Sequence, residues 1–418
     1  MKRLPEYLFA NKKNYKGYVD SRFKDLAKQF SQMQDARTEF GGAALVVYFR
    51  NEKVVDIYTG KKSINEDWEK DTLSVCYSTG KGVLSTLAHI LVGQNFLDYD
   101  VPVAEYWSEF AQNGKERITL RHMLSHQSGL FDIRNNIQNA KEMADWKHML
   151  QVIEQAHPRF KAGEDAAYQP FTFGWQVGGL LEKVTQDTVT NLLNKYLVEP
   201  LNLDGAYFGV PECELNRVAR PLITNRKELK PKNPHSKKVK RKISNIDRLI
   251  KVSGQNPIDF QDAMIPKGMK DFSLHSDEGL KANIPAANGV FTADSLAKIY
   301  AMLANHGNWN NQEIIRSDIY KSLSKIQYLN RDRVMPIPMH WRLGYHRLLT
   351  LGKSAKNGFG HIGFNGSGAW CDPERQLSFA YTHNFQTGSI TGDYRLWGLT
   401  QEALRCADAE LKGYKGWF

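Results

Sequence analysis

Residues 73–92 of the 418-residue chain read LSVCYSTGKGVLSTLAHILV. A short apolar run leads to Ser78, where a long apolar helix is predicted to begin, with Lys81 one turn later on the same face. The Ser78 hydroxyl would lie at a buried helix N-terminus, where free backbone amides and the helix dipole favour a developing anion. An apolar first turn would desolvate Lys81 and keep its amine neutral, so the pair is suited to act as nucleophile and base.

The Ser-x-x-Lys spacing alone is weak evidence, because it occurs four times in the chain. The other three pairs lie in predicted amphipathic helices: Ser21 and Lys24, Ser295 and Lys298, Ser322 and Lys325. A solvated lysine in such a helix stays protonated at neutral pH and is useless as a base. Taken alone, Ser78 is equally well interpreted as an ordinary helix N-cap.

The composition is that of an ordinary globular protein. With 41% hydrophobic and 24% charged residues, wholesale disorder is excluded. The longest apolar stretch, residues 83–97, is interrupted by polar residues, and a bilayer span needs about 20 mostly apolar ones. The N-terminus lacks the apolar core of a secretory signal, so we expect a cytoplasmic protein. The four cysteines have no metal-ligand spacing and are expected to be reduced.

Strand patterns lie towards both ends of the chain, and helical patterns dominate between them. The predicted strands are 43–49, 54–58, 341–345, 360–364, 368–371 and 377–381, and the predicted helices are 19–33, 118–129 with Thr119 as its cap, 293–305 and 394–411. We therefore predict an α/β (α+β) fold in which an antiparallel sheet is built from both termini, flanked by helices and interrupted by an all-helical domain. The predicted sheet domain comprises residues 1–70 and 290–418, and the helical domain residues 71–289.

The net charge of +11 is concentrated in one segment of the predicted helical domain. Residues 217–251 contain 13 Lys or Arg and 2 Asp or Glu, a surplus as large as that of the whole chain. We predict a solvated insertion there. Binding of nucleic acid or of an anionic membrane through residues 226–242 is the less favoured alternative, because no aromatic residues are interleaved for base stacking.

Four short motifs occur in order: VCYSTGKG at residues 75–82, ITLRHMLSHQSGL at 118–130, YQPFTFGW at 168–175 and FGHIG at 359–363. Together they resemble the serine β-lactamase-like superfamily and, within it, the class C-like (family VIII) carboxylesterases. The resemblance runs from about residue 40 to the C-terminus. It implies a fold like that of β-lactamases and penicillin-binding proteins, and a serine hydrolase that forms an acyl-enzyme on Ser78.

The resemblance also implies the roles of further site residues. Tyr168 matches the tyrosine whose oxygen lies beside the nucleophile and the lysine, so the base is either the neutral Lys81 amine or a Tyr168 phenolate. The backbone amides of Ser78 and Phe364 would form the oxyanion hole.

The third motif is Lys-Thr-Gly in β-lactamases and often His-x-Gly or Trp-x-Gly in the esterases. His361-Ile-Gly363 fits, on an edge strand beside the site, and implies that His361 and Gly363 contact the substrate; residues 356–358 are a rival match. A lysine would attract a substrate carboxylate, whereas histidine is largely neutral at pH 7, which favours uncharged esters. The alternative for His361 is a purely structural histidine.

The second motif also departs from the family pattern, in a way that weakens the case for a β-lactamase. The usual Tyr-x-Asn is Tyr168-Gln-Pro170 here, and proline offers an amide substrate no side-chain hydrogen bond. We therefore expect a carboxylesterase for small, short-acyl esters, without a metal or other cofactor. The alternatives are a β-lactamase or D-amino-peptidase, and a non-catalytic scaffold that binds anionic partners through its basic segment. His122 and His126 have a metal-like spacing, but no carboxylate accompanies them.

Overall fold

The computed structural model of the protein describes residues 7–9, 15–35, 41–222, 256–352 and 354–415, so the basic segment 226–242 lies outside the described residues. The strands are β1 Tyr7–Phe9, β2 Lys16–Asp20, β3 Gly42–Phe49, β4 Glu52–Gly60, β5 Ser74–Val75, β6 Ala206–Tyr207, β7 Val290–Phe291, β8 Asn308–Trp309, β9 Gln312–Glu313, β10 His346–Arg347, β11 Phe359–Ile362, β12 Gly368–Asp372 and β13 Leu377–His383. The α-helices are α1 Lys24–Asp35, α2 Thr79–Gly93, α3 Leu120–Leu124, α4 Trp146–Gln155, α5 Thr172–Thr185, α6 Val189–Leu193, α7 Glu199–Leu201, α8 Pro257–Met264, α9 Asp277–Lys281, α10 Ala293–Ala304, α11 Ser317–Leu323 and α12 Tyr394–Lys415.

An antiparallel sheet with strand order β1-β2-β4-β3-β13-β12-β11-β10 forms the centre of the molecule. Its central pairing joins β3 to β13, with Ala43 opposite His383 and Phe49 opposite Leu377. These two strands come from opposite ends of the chain. The predicted α+β fold, with a sheet built from both termini, is therefore confirmed.

Strand β3 contributes to two different cores, because successive side chains of a strand point to opposite faces. Its even-numbered residues from Ala44 to Tyr48 belong to a buried cluster with α2, α5 and α10. Its odd-numbered residues from Ala43 to Phe49 belong to a second cluster with α1 and α12. Helices thus cover both faces of the sheet, which explains why β3 is a continuous apolar run.

Helix α2 runs through the larger core and joins the helical part of the chain to the sheet. All of its residues from Thr79 to Val92 are buried. It contacts α5 on one side and β11 on another. Residues at the start of α2 are therefore held between elements of both parts of the chain.

The strands of the large sheet fall within residues 7–60 and 346–383, and residues 71–289 carry helices α2 to α9 with the short strands β5 and β6. The predicted domain boundaries stay a prediction. Among the helices of the described ranges, none has the length and apolar character needed to cross a bilayer.

Two predicted helices begin or end elsewhere. Strand β2 continues to Asp20, whose side chain caps a short 3-10 turn, so α1 begins only at Lys24. Thr119 caps α3 as predicted, but the helix ends at Leu124 because His126 takes a left-handed conformation at φ 60°.

The predicted strand over residues 341–345 is wrong. Gly344 turns the chain at φ 83°, and a Cβ at this position would overlap the Ser85 side chain of α2. The glycine therefore allows this turn to approach the buried helix. Strand β10 begins only at His346.

Asn384 joins several chain segments at the end of β13. Its Oδ1 accepts a hydrogen bond from the Gly42 amide at 2.8 Å, and its Nδ2 donates to the carbonyls of Lys61, Lys62 and Arg220 at 3.1, 3.3 and 2.8 Å. Asn384→Ala removes these partners from buried groups, so we expect the free energy of unfolding to fall by about 1–3 kcal/mol, measured by urea denaturation.

The matched control is Asn191→Ala. Asn191 is exposed on α6, so its replacement is expected to change stability by no more than about 0.5 kcal/mol. Equal unfolding midpoints for the two variants would contradict the role assigned to Asn384.

Candidate active site

Ser78 lies at the junction between β5 and α2. Tyr77, the residue before it, has φ 48°, a left-handed conformation that is strained for a tyrosine. Ser78 itself is in the helical region, and in the described structure its side chain makes no capping hydrogen bond. Its hydroxyl instead faces Lys81 and a cavity.

Lys81 is fully buried in the first turn of α2. Its Nζ lies 2.8 Å from the Pro170 carbonyl oxygen, 2.7 Å from that of Ala286 and 3.0 Å from Ser78 Oγ. Burial holds the pKa of Lys81 well below its usual range, which favours the neutral amine. A neutral amine has two N–H groups and one lone pair. Donation to the two carbonyls uses both N–H groups and leaves the lone pair to accept the Ser78 hydroxyl proton.

The Tyr168 phenol is the third side chain of this group. The Lys81 Nζ lies 4.9 Å from the centroid of the Tyr168 ring. Burial raises the pKa of Tyr168 above its ordinary value, and the interaction with Ser78 only partly opposes this effect. The phenol is therefore protonated at neutral pH.

Buried rings enclose Tyr168. Trp341 stacks on it with centroids 5.5 Å apart and planes 6° apart, and His126 approaches edge-on at 5.0 Å. The His361 ring lies 6.2 Å away. All three rings are almost completely buried, so bulk water is kept away from the side of Tyr168 that they cover.

His361 stands one layer behind the cavity. Burial holds its pKa well below its ordinary value, so the imidazole is neutral. Its neighbour in space, His346, donates from Nδ1 to the Arg347 carbonyl at 2.7 Å and accepts at Nε2 from the Ile362 amide at 2.9 Å. Of the three motif residues 361–363, all within the described ranges, Ile362 lines the cavity, whereas His361 and Gly363 do not.

Gly363 lets the end of β11 lie directly against the turn that carries Ser78. A Cβ at position 363 would overlap the Cys76 carbonyl oxygen, two residues before Ser78. A glycine is therefore required for this approach. The rival match at residues 356–358 lies in the turn before β11, with Lys356 exposed.

Ser78, Tyr168 and Phe364 border one cavity of about 230 Å³. The remaining lining residues are Tyr77, Pro170, Phe171, Met264, Met269, Leu274, Ala287, Met335, Ile362 and Ile390. Over the described ranges, no charged side chain lines this cavity. In the same part of the chain, the backbone amides of Ser78 and Phe364 have no hydrogen-bond acceptor, so both are available to an oxyanion.

The sequence model of the Beta-lactamase family matches residues 23–401. The chain belongs to the beta-lactamase family. It is 32% identical over 416 residues to "Esterase/beta-lactamase LipL" of Mycobacterium tuberculosis (strain ATCC 25618 / H37Rv). The alignment covers 96% of this chain and 90% of the relative.

Solved structures agree with this membership of the beta-lactamase family. A family VIII carboxylesterase superposes with a TM-score of 0.81 at 26% identity and covers 94% of this chain and 100% of the other. A penicillin-binding protein homologue from Caulobacter crescentus gives a TM-score of 0.79 at 28% identity with the same coverage. The predicted resemblance is confirmed, and the protein is a hydrolase of the serine β-lactamase fold.

Several groups at this beta-lactamase-family site carry no sequence signal. Pro170 and Ala286 contribute carbonyl oxygens, which every residue type possesses. Asp332 lies in a polar turn of ordinary composition, yet its carboxylate accepts a hydrogen bond from the Tyr168 amide at 3.0 Å.

The two histidines of the predicted helix 118–129 have different partners in the structure. His122 accepts at Nδ1 from the Thr119 amide at 3.2 Å, which completes the capping box of the helix. His126 packs against Tyr168 instead. The spacing of four residues therefore reflects a helix cap and an aromatic contact.

Gly363→Ala tests the close approach of β11 to the turn that carries Ser78. The added Cβ forces the strand and the turn apart, so we expect the rate of Ser78 labelling by a fluorophosphonate probe to fall by at least about ten-fold. Labelling is followed by intact-protein mass spectrometry.

Gly93→Ala is the matched control. A Cβ at Gly93, at the end of α2, makes ordinary contacts at 3.6 and 3.7 Å, so labelling should keep its wild-type rate. Wild-type labelling of Gly363→Ala would show that the approach has no bearing on Ser78.

Proposed function

We propose that this protein is a carboxylesterase that hydrolyses small, uncharged, short-acyl esters through an acyl-enzyme on Ser78. One observation carries the proposal: the buried Lys81 Nζ lies 3.0 Å from Ser78 Oγ while two carbonyl oxygens, of Pro170 and Ala286, accept its hydrogen bonds. This is the geometry that a general base needs to activate a serine hydroxyl.

Acylation follows from this arrangement. Ser78 Oγ attacks the ester carbonyl carbon while Lys81 Nζ takes the hydroxyl proton. The amides of Ser78 and Phe364 stabilise the oxyanion, and the proton reaches the leaving alcohol oxygen through Lys81 and the protonated Tyr168 phenol as the ester C–O bond breaks. In deacylation a water molecule gives a proton to Lys81 while its oxygen attacks the acyl carbon; the acyl C–Oγ bond then breaks, Lys81 returns the proton to Ser78 Oγ, and the carboxylic acid leaves.

The protonation states favour Lys81 as the base over a Tyr168 phenolate. Burial lowers the pKa of the lysine and raises that of the tyrosine, so at neutral pH the amine is free to accept a proton and the phenol is not. Tyr168 then serves as a hydrogen-bond donor and proton relay.

The cavity wall supports an uncharged substrate. Its lining residues are apolar or aromatic apart from Ser78. Gln169, which follows the motif tyrosine, is fully buried, donates from Nε2 to Ser128 Oγ at 2.5 Å and is not among the described residues that line the cavity, so its amide does not face the substrate. A substrate carboxylate would find no charged partner among these described residues, which disfavours carboxylate-bearing amides.

Hydrolysis of β-lactams is the second candidate function. The relative with 32% identity is named "Esterase/beta-lactamase LipL", which couples the two activities in one protein. We expect the protein to prefer esters over β-lactams, because the cavity wall lacks a charged partner for the β-lactam carboxylate.

Ser78→Ala tests the nucleophile. We expect hydrolysis of p-nitrophenyl butyrate to fall by about 10³-fold or more, because the acyl-enzyme can no longer form. Wild-type protein should hydrolyse the ester with a higher kcat/KM than a chromogenic cephalosporin. Ser322→Ala, from another Ser-x-x-Lys pair, should keep full activity. Ester turnover that survives in Ser78→Ala would refute the proposal, and a preference for the cephalosporin would reverse the order of the two functions.

Lys81→Arg tests the base. A guanidinium stays protonated and has no lone pair, so we expect kcat to fall by about 10²–10⁴-fold at every pH assayed. Lys298→Arg, from a second Ser-x-x-Lys pair with a lysine side chain 18% exposed, should keep its activity.

The pH profile of the wild-type enzyme gives an independent measurement of the same role. Because the pKa of Lys81 is lowered, its base form persists far below the usual lysine range, and kcat/KM is lost only as the pH falls through that lowered value. Activity that appears only near the ordinary lysine pKa would contradict Lys81 as a neutral base.

A further inference from the structure

Asp332 holds the main chain of Tyr168. Its Oδ1 accepts a hydrogen bond from the Tyr168 backbone amide at 3.0 Å, and its Oδ2 accepts from Trp341 Nε1 at 2.9 Å. The Trp341 ring is the one that stacks on the Tyr168 phenol ring. One buried carboxylate thus fixes both the main chain of Tyr168 and the ring against its side chain.

The same carboxylate organises part of the cavity wall. Asp332 Oδ1 also accepts from the backbone amides of Val334 and Met335, both at 2.8 Å, and Met335 lines the cavity. Burial raises the pKa of Asp332 to about 6, so the group is ionised at pH 8. In that form both of its oxygens act as acceptors.

We propose that Asp332 is a positioning residue of the active site, which sets the place of the Tyr168 phenol beside Ser78 by holding the Tyr168 amide and the Trp341 indole together. The proposal rests on the proposed function, because it requires Tyr168 to take part in the chemistry of Ser78. Asp332 lies outside the cavity lining and acts only through its neighbours.

Asparagine is the informative replacement. Its side chain has one acceptor oxygen and one donor nitrogen, so it cannot accept from both the Tyr168 amide and the Trp341 indole. In Asp332→Asn one of the two N–H groups meets another N–H group. Trp341→Phe keeps a ring on Tyr168 but removes the indole donor, so the double variant relieves this conflict.

The experiment measures hydrolysis of p-nitrophenyl butyrate at pH 8 by the full-length chain. For Asp332→Asn we expect kcat to fall by at least about ten-fold with KM changed by less than about three-fold. Asp332→Asn with Trp341→Phe should recover part of that kcat. The matched control is Asp165→Asn, which breaks an ion pair of 2.6 Å with Arg333 in the neighbouring turn and should keep wild-type kcat.

Each other outcome is decisive. Wild-type kcat in Asp332→Asn, a further loss in the double variant, or an equal loss in Asp165→Asn overturns the assignment. If Asp332→Asn does not fold, Trp341→Phe decides: a lower kcat at unchanged KM supports the assignment, and wild-type kcat overturns it. Ser78→Ala separates the two proposals, because surviving turnover there overturns the esterase itself, whereas its loss beside a fully active Asp332→Asn overturns only the role of Asp332.

Discussion

The burial of one lysine amine in an apolar helix is the constraint on which the active site depends. Burying an ammonium without a counter-charge in such a place costs several kcal/mol, which is a large share of the free energy of unfolding of a typical protein. The neutral amine is therefore favoured at Lys81. In the unfolded chain the same lysine is protonated up to its ordinary pKa of about 10.4. Folding therefore releases a proton, and the contribution of Lys81 to stability rises with pH between the lowered and the ordinary pKa. At neutral pH the burial of Lys81 therefore lowers the free energy of unfolding, and the burial of the large apolar core has to compensate for this loss.

The two carbonyls that hold Lys81 come from distant parts of the chain, and the glycines on either side of Lys81 leave room for two further close contacts. A Cβ on Gly80 would lie 2.5 Å from the Pro285 carbonyl oxygen, and one on Gly82 would overlap the Tyr300 hydroxyl. Glycine inside a helix costs about 1 kcal/mol relative to alanine. The chain accepts this cost twice within one turn because the segment that carries Ala286 passes close to Gly80 and the Tyr300 hydroxyl lies against Gly82.

The parts of the site that could be predicted from the sequence are those whose signal is local. Ser78 and Lys81 lie within one helical turn at the start of an apolar run, and the strands show their own apolar pattern. Tyr168 is one of 18 tyrosines, and only the resemblance to a family selected it. Asp332 acts through a backbone amide far along the chain, and the turn at Gly344 exists because of a contact with another helix. Contacts between residues so far apart in the chain leave no local pattern in the sequence.

The groups around Lys81 favour the transition state of the proposed reaction over its ground state. His126, His346 and His361 are buried and neutral, and a charge on Lys81 further disfavours protonation of His126 and His361. When Lys81 takes the Ser78 proton, none of these three histidines therefore adds a second positive charge, and the new ammonium lies beside the forming oxyanion. The two carbonyls then accept from a charged donor, and the ring face of Tyr168 lies 4.9 Å away. These attractions grow only as the proton moves, and an interaction that is stronger in the transition state than in the ground state lowers the barrier.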